Sequence, residues 1–345
     1  MAKTTMASSN PLVKQMWEDV LFEDTMKESF FSSLMGTGKD NIIQVKEDLS
    51  KNKGDSITFG MVPRGTPTVR NSGETLRGYE TRIRDLNFSV TINEHTFAVA
   101  DDGPLTRQRA MYNVDEESLR VLEVMGAEYI DEKCFEGLYG FDKNGNTTGT
   151  LVTREFFGGN ATAVGNIDSA DDIDPALISK ISAGAQDGWD RTQTPMKGAR
   201  VDGKNWFVMV VPFSVGYDIK RNTEFQNAWQ NARERSSENP LFSGVIGAWD
   251  NVLIKEHENA YKAYTGGAGG AEPYAKCLFL GCQALCWAWA EKPKIVSENF
   301  DYNREHGHSW QAMFGHARPR FDTNNDGTLR DYGVVQATVY ATDVR

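Results

Sequence analysis

The residues from Asp322 to Leu329 come closest to a chemical motif. Asp322, Asn324 and Asp326 stand at positions 1, 3 and 5 of a calcium-binding loop, with Gly327 at position 6 and Leu329 at position 8. Position 12 should be a bidentate Glu but is Gly333, and no helical pattern flanks the segment. The stretch therefore reads as an Asx/Gly turn before a last strand. A soluble calcium-binding enzyme using residues 322–329 is the alternative. Residues 35–40 fail as a phosphate loop, because Ser33 stands where the first Gly belongs and Asp40 where a Ser or Thr belongs. The Gly-rich residues 266–271 follow no strand, so a dinucleotide fingerprint fails on context. Cys277, Cys282 and Cys286 fall only partly on one face of a helix and read as small buried hydrophobes, with no second Cys/His pair at zinc spacing. His306, His308 and His316, among Arg304, Arg318 and Arg320, read as a polar surface or interface. No Gly-x-Ser-x-Gly elbow or His-Glu-x-x-His pair occurs. No catalytic residue, metal or cofactor is implied.

One concentration of like charge remains. Arg64, Arg70, Arg77, Arg82 and Arg84 lie in or just beyond a connection at 63–78, in a chain with 37 Lys+Arg against 48 Asp+Glu and a net charge of −11. A basic loop suits docking on an acidic neighbour, and a solvated loop is the bland reading. The acidic balance argues against wholesale electrostatic binding of nucleic acid. An acidic wall can still enclose DNA without gripping it. The first ten residues lack the apolar core of a signal peptide. The longest apolar run, 277–290, holds a Gln and a Gly and is too short to cross a bilayer. With four cysteines and no disulfide framework, the expectation is a soluble protein made in a reducing cytoplasm, without a membrane.

The elements that position these residues follow from periodicity. Residues 1–48 carry Trp17, Val20, Leu21 and Phe22, then Phe30, Phe31 and Leu34, spaced too widely for a core of their own. They read as an arm of short helices lying on another surface. Residues 55–100 alternate as a long β-ribbon: Ile57, Phe59 and Met61 on one arm, Phe88, Val90, Ile92, Phe97 and Val99 on the return. Residues 104–138 carry a long helical pattern through Met111, Val114, Ser118, Val121/Leu122, Met125 and Tyr129. Uninterrupted, it would be about 50 Å long, with Gly126 as a bend. A short strand is expected at 149–153. A helix follows from Pro175 with Asp174 as cap and Leu177, Ile178 and Ile181 inward. The run 205–211 is a buried strand, ended by Pro212. Phe225, Ala228, Trp229 and Ala232 mark a helix capped by Asn222 or Thr223. A loop then leads into a strand at 252–254. The apolar stretch from about 272 to 291 is expected as a buried helix, and 334–342 as a closing strand.

The order of these segments resembles the major capsid protein family of short-tailed bacteriophages, which has the Hong Kong 97 (Johnson) fold. "IIQVKEDLSKNKGDSITF" at 42–59, "VTINEHTFAV" at 90–99, "LTRQRAMYN", "NPLFSGVIGAWDNVLI", "CLFLGCQALCWAWA" and "FDTNNDGTLRDYGVVQATVYATD" carry the likeness across nearly the whole chain. It implies an α+β fold with an N-terminal arm (1–48), an extended β-hairpin loop (49–100), a peripheral domain with a spine helix (101–200), an axial domain (201–324) and a C-terminal strand returning to the peripheral domain (325–345). The implied function is structural: hexamers and pentamers of one chain closing an icosahedral shell around double-stranded DNA, with no enzymatic role. Inter-subunit contacts would fall to Arg64, Arg70, Arg77, Arg82, Arg84 and Trp17. Implied partners are the chain itself, a portal, a scaffold and decoration proteins. The implied location is the virion, with the host bacterial cytoplasm during assembly. An encapsulin-like cellular shell shares the fold.

Overall fold

A computed structural model describes residues 29–47, 54–61, 77, 85–110, 113–189, 195–201, 203–231, 245–322 and 327–343. After a 3-10 turn at Phe30–Leu34 come β1 (Met35–Gly36), β2 (Ile43–Lys46), β3 (Ser56–Met61), β4 (Leu86–Thr91) and β5 (Asn93–Ala100). Helices α1 (Pro104–Arg109) and α2 (Val114–Tyr139) follow, then β6 (Glu155–Phe157), α3 (Pro175–Asp187), β7 (Ala199–Val201), β8 (Lys204–Val211), α4 (Phe213–Arg221) and α5 (Thr223–Asn231). The chain closes with β9 (Val245–Trp249), β10 (Val252–Glu256), β11 (Lys262–Ala263), β12 (Tyr274–Leu280), β13 (Leu285–Phe300), β14 (Glu305–Ala317), β15 (Arg320–Phe321), β16 (Arg330–Asp331) and β17 (Val334–Tyr340).

An eight-stranded mixed sheet in the order β6-β17-β12-β8-β10-β9, with β7 and β11 at its side, divides two cores. Phe207, Met209, Val211, Cys277 and Phe279 face the core under α3, α4 and α5. Their neighbours Trp206, Val208, Val210, Leu278 and Leu280 face the core shared with α2. A strand buried on both faces reads as a continuous apolar run with no visible period. That is why the segment at 272–291 is not the expected helix. It is two strands, β12 and β13, joined where Gln283 takes a left-handed φ of 55°. The three cysteines in or beside them are buried as expected, on and between strands instead of on a helix.

A second sheet, β1-β2-β13-β14-β5, packs against α2. The ribbon divides here. β4 pairs with β3 from Ser56–Thr91 to Met61–Leu86, whereas β5 leaves to pair with β14. The long helix also differs from expectation. It breaks after α1, and Asn113 restarts it by accepting a hydrogen bond from the Asp115 N–H at 3.2 Å. Its buried stripe is Leu122, Ala127, Ile130, Cys134 and Leu138, whereas Val121 and Met125 are exposed. The helix α2 runs unbroken through Gly126. A Cβ at Gly126 would lie 2.8 Å from the Trp310 indole nitrogen, so its lack of a side chain lets helix and sheet touch.

Elsewhere, Asp174 and Pro175 start α3 as expected, although the Asp174 side chain makes no cap bond. α4, β9 and the long β14 stand where the sequence pattern predicts no element, and in place of a strand at 149–153 the chain forms β6 at Glu155–Phe157. Asn222 caps α5 through the Glu224 N–H at 2.9 Å, and Phe225 is buried. The surface on which the described end of the arm lies is that of its own chain. Phe31, Leu34, Ile42 and Ile43 belong to the chain's own core, with Phe31 edge-on to Phe135 of α2.

Candidate assembly surfaces

The β13–β14 hairpin organises the chemistry of the described residues. At its root, Arg318 and Asp331 form a buried ion pair at 2.5 Å, 5% and 0% exposed. The guanidinium also donates to the carbonyls of Leu138 and Thr150. Asp331 Oδ2 accepts from the N–H and the hydroxyl of Thr153, each at 2.7 Å. Burial lowers the Arg318 pKa and the Asp331 charge opposes that shift. One salt bridge thus ties the end of α2, the loop at 150–153 and β16 to β14. Charges buried this way hold only while fully partnered.

Beside this root lies a cavity of about 340 Å³, lined among others by Phe88, Glu136, His316, Ala317, Arg320 and Leu329. His316 stacks on Trp287, and burial lowers its pKa to about 4, so the ring is neutral at pH 7. The expectation that all three histidines form a polar surface therefore fails for His316. The ribbon roots at the same place. Ile57, Phe59 and Val90 pack on Cys286 and Ala288 of β13, and a Cβ at Gly315 would lie 2.1 Å from the Thr91 carbonyl oxygen.

His306 and His308 sit at the hairpin's other end. Asp101 accepts from the His306 N–H at 2.6 Å and pairs with Arg107 Nε at 2.8 Å. Asp115 approaches His306 at 3.4 Å and His308 at 3.8 Å. Ligand atoms of Asp101, Asp115 and His306 lie within 4.8 Å of one another. Both Asp101 oxygens are already engaged, however, and the Arg107 guanidinium rests 2.9 Å from the His306 ring. A cation centre would have to displace that positive charge, so the group reads as an ion-pair joint between α1, α2 and β14.

The arm is clasped separately. The Asp131 carboxylate on α2 accepts from the Ser29 hydroxyl at 2.7 Å, the Phe30 N–H at 2.9 Å and the Phe31 N–H at 3.3 Å. Burial raises its pKa against those bonds and against His257, whose own pKa burial lowers. Nearby Lys255 is 1% exposed, and burial lowers its pKa to about 8.

Of the residues singled out from sequence, Arg77 lies in an exposed turn. Arg64, Arg70, Arg82, Arg84 and Trp17 lie outside the described residues. So do 323–326 of the calcium-like loop, while Asp322 accepts from the Gly327 N–H at 3.0 Å, as an Asx-type turn would. The roles of Arg318, Asp331, Asp131 and the joint at Asp101 were not legible in the sequence, because each depends on a contact with remote chain, across 180 positions for Arg318, 178 for Asp331, 102 for Asp131 and 205 for Asp101.

The described residues offer buried anchors, a ribbon root that is half buried and an exposed hairpin tip, and the Ser297 hydroxyl stands 2.8 Å from His308 Nδ1 on the outer part of the hairpin. The model of a family described as phage capsid protein matches residues 5–342. The chain belongs to the phage capsid protein family. It is a major capsid protein with a structural role, assembling into an icosahedral shell, and its place is the virion. It is 23% identical to the major capsid protein of Pseudomonas phage KPP25, over 95% of each chain. The capsid of Ralstonia phage GP4 matches at a TM-score of 0.81 with 23% identity over 100% of both chains. The cyanophage Pam1 capsid matches at 0.74 with 21% identity over 92% and 93%. These likenesses establish the α+β capsid fold of the Hong Kong 97 type.

Proposed function

We propose that this capsid protein closes its shell through hexamers and pentamers of itself, around double-stranded DNA that it encloses without reading sequence. The whole-chain match to the capsid family carries this reading. Adjacent copies are joined by the ribbon: Arg64, Arg70, Arg77, Arg82 and Arg84 lie across an acidic face of the next copy, and Trp17 anchors the arm. The outer side of α2, with Glu116 and Glu128 exposed beside Val121 and Met125, supports such a face. The contacts are non-covalent, the protein catalyses nothing, and portal, scaffold and decoration proteins join it in the host cytoplasm. Electron microscopy of the purified protein with size-exclusion chromatography tests this. Uniform shells or capsomer rings are expected, and a monomer under every condition, scaffold included, overturns it.

A further inference from the structure

The two ends of β14 are complementary, and a single chain cannot bring them together. At the tip, Asp301, Tyr302 and Asn303 take left-handed φ values of 47°, 55° and 69°. Residues other than glycine adopt this region rarely, and a Tyr has no local side-chain bond to offset it. Phe300 folds back over Gly307, where a Cβ would lie 2.7 Å from its ring, and Asp301 pairs with Arg304 at 3.2 Å. These contacts hold the turn, and Tyr302 is left 100% exposed. At the other end the cavity of about 340 Å³ has Glu136 and His316 as polar lining and Phe88 and Ala317 as apolar lining, together with half-exposed Leu329 and partly exposed Arg320, which also approaches Asp331 at 3.8 Å. That volume is at the small end of the ~300–1,000 Å³ range of ligand sites, which suits one aromatic ring. The 13 residues of β14, at about 3.3 Å each, hold knob and cavity roughly 40 Å apart.

We propose that Tyr302 of one copy seats in the cavity of a neighbouring copy, a heterologous contact made head to tail along β14. The phenol ring lies against Phe88 and Leu329, and its hydroxyl meets the polar lining of Glu136 and neutral His316. Asp301 beside it faces Arg320, so charge favours the same orientation. This rests on the shell reading.

The test uses intact shells. Chains carrying the photoreactive residue p-benzoylphenylalanine at position 302 are co-assembled with excess wild-type protein, irradiated, and mapped by mass spectrometry. Adducts on residues 136–150, 316–320 or 329 of another chain are expected. Adducts on the ribbon, the arm or another copy's tip, or none, would overturn the seat while leaving the shell intact. In a second arm, shells mix Tyr302→Cys chains with Leu329→Cys chains, and a short bis-maleimide is added. The four native cysteines are buried, so linked dimers are expected only in the mixture. Dimers with either variant alone, or none in the mixture, would overturn the contact. Wild-type protein that stays monomeric under every condition, scaffold included, would remove both readings.

Discussion

The root and the tip of the β13–β14 hairpin are built on opposite terms. At the root the central charges are buried and partnered: Arg318 pairs with Asp331 and reaches back to the carbonyls of Leu138 and Thr150, 180 and 168 positions away. At the tip, contacts are local: Phe300 on Gly307, Asp301 with Arg304, and Tyr302 exposed. One end stabilises the subunit, and the other is free to serve something outside it. The comparison separates folding from assembly along a single strand.

It should break most visibly at Asp331. Asp331→Ala leaves the Arg318 guanidinium buried without a counter-charge and should cost ~3–5 kcal/mol in denaturant unfolding. Replacing both partners by apolar residues, Arg318→Met with Asp331→Leu, should recover much of that loss. If the double variant is no better than the single, uncompensated charge is not the cause.

Acid is the next lever on the root. The folded pKa of His316, about 4, lies below the usual 6.5, so the unfolded chain binds more protons in that window. Stability should therefore fall as pH drops from 6.5 towards 4, and be unaffected by this group above 6.5. His316→Gln should flatten that slope in a series of Tm measurements. An unchanged slope would assign the effect to other groups.

Gly126 tests the middle of the contact between helix and hairpin. Its Cβ position is 2.8 Å from the Trp310 indole nitrogen. Gly126→Ala should cost about 1–3 kcal/mol by overpacking, although Ala favours a helix by about 1 kcal/mol. A stabilised variant would mean that Trp310 yields easily.

The smallest effect on the subunit belongs to the tip. Tyr302→Ala should change unfolding stability by no more than ~0.5 kcal/mol, as expected of a surface residue without partners. A larger loss would show that the tip, too, belongs to the fold.

Legibility followed the same division. β8 was readable because Pro212 ends a compact apolar run, β17 because its residues alternate in type after Gly333, and α3 because its Pro start and inward stripe lie within one helix. The run that became β12 and β13 was misread, because burial on both faces erases the alternation that identifies a strand. The phase of α2 was misread because Val121 and Met125 extend a plausible apolar stripe while facing outward. At the site, the basic ribbon stood out by composition, whereas the joint at Asp101 and the salt bridge at Arg318 did not. Asp101 and His306 are hydrogen-bonded across 205 positions of chain.

By itself, then, the sequence determined several of the elements, the acidic balance, the concentration of arginines at 64–84 and the capsid family, since all are local properties or their order along the chain. Tertiary structure alone decided which face of α2 is buried, where the ribbon's return arm divides, and which charges meet. Those outcomes depend on contacts between segments distant in sequence, and a buried charge is stable only where folding delivers its partner.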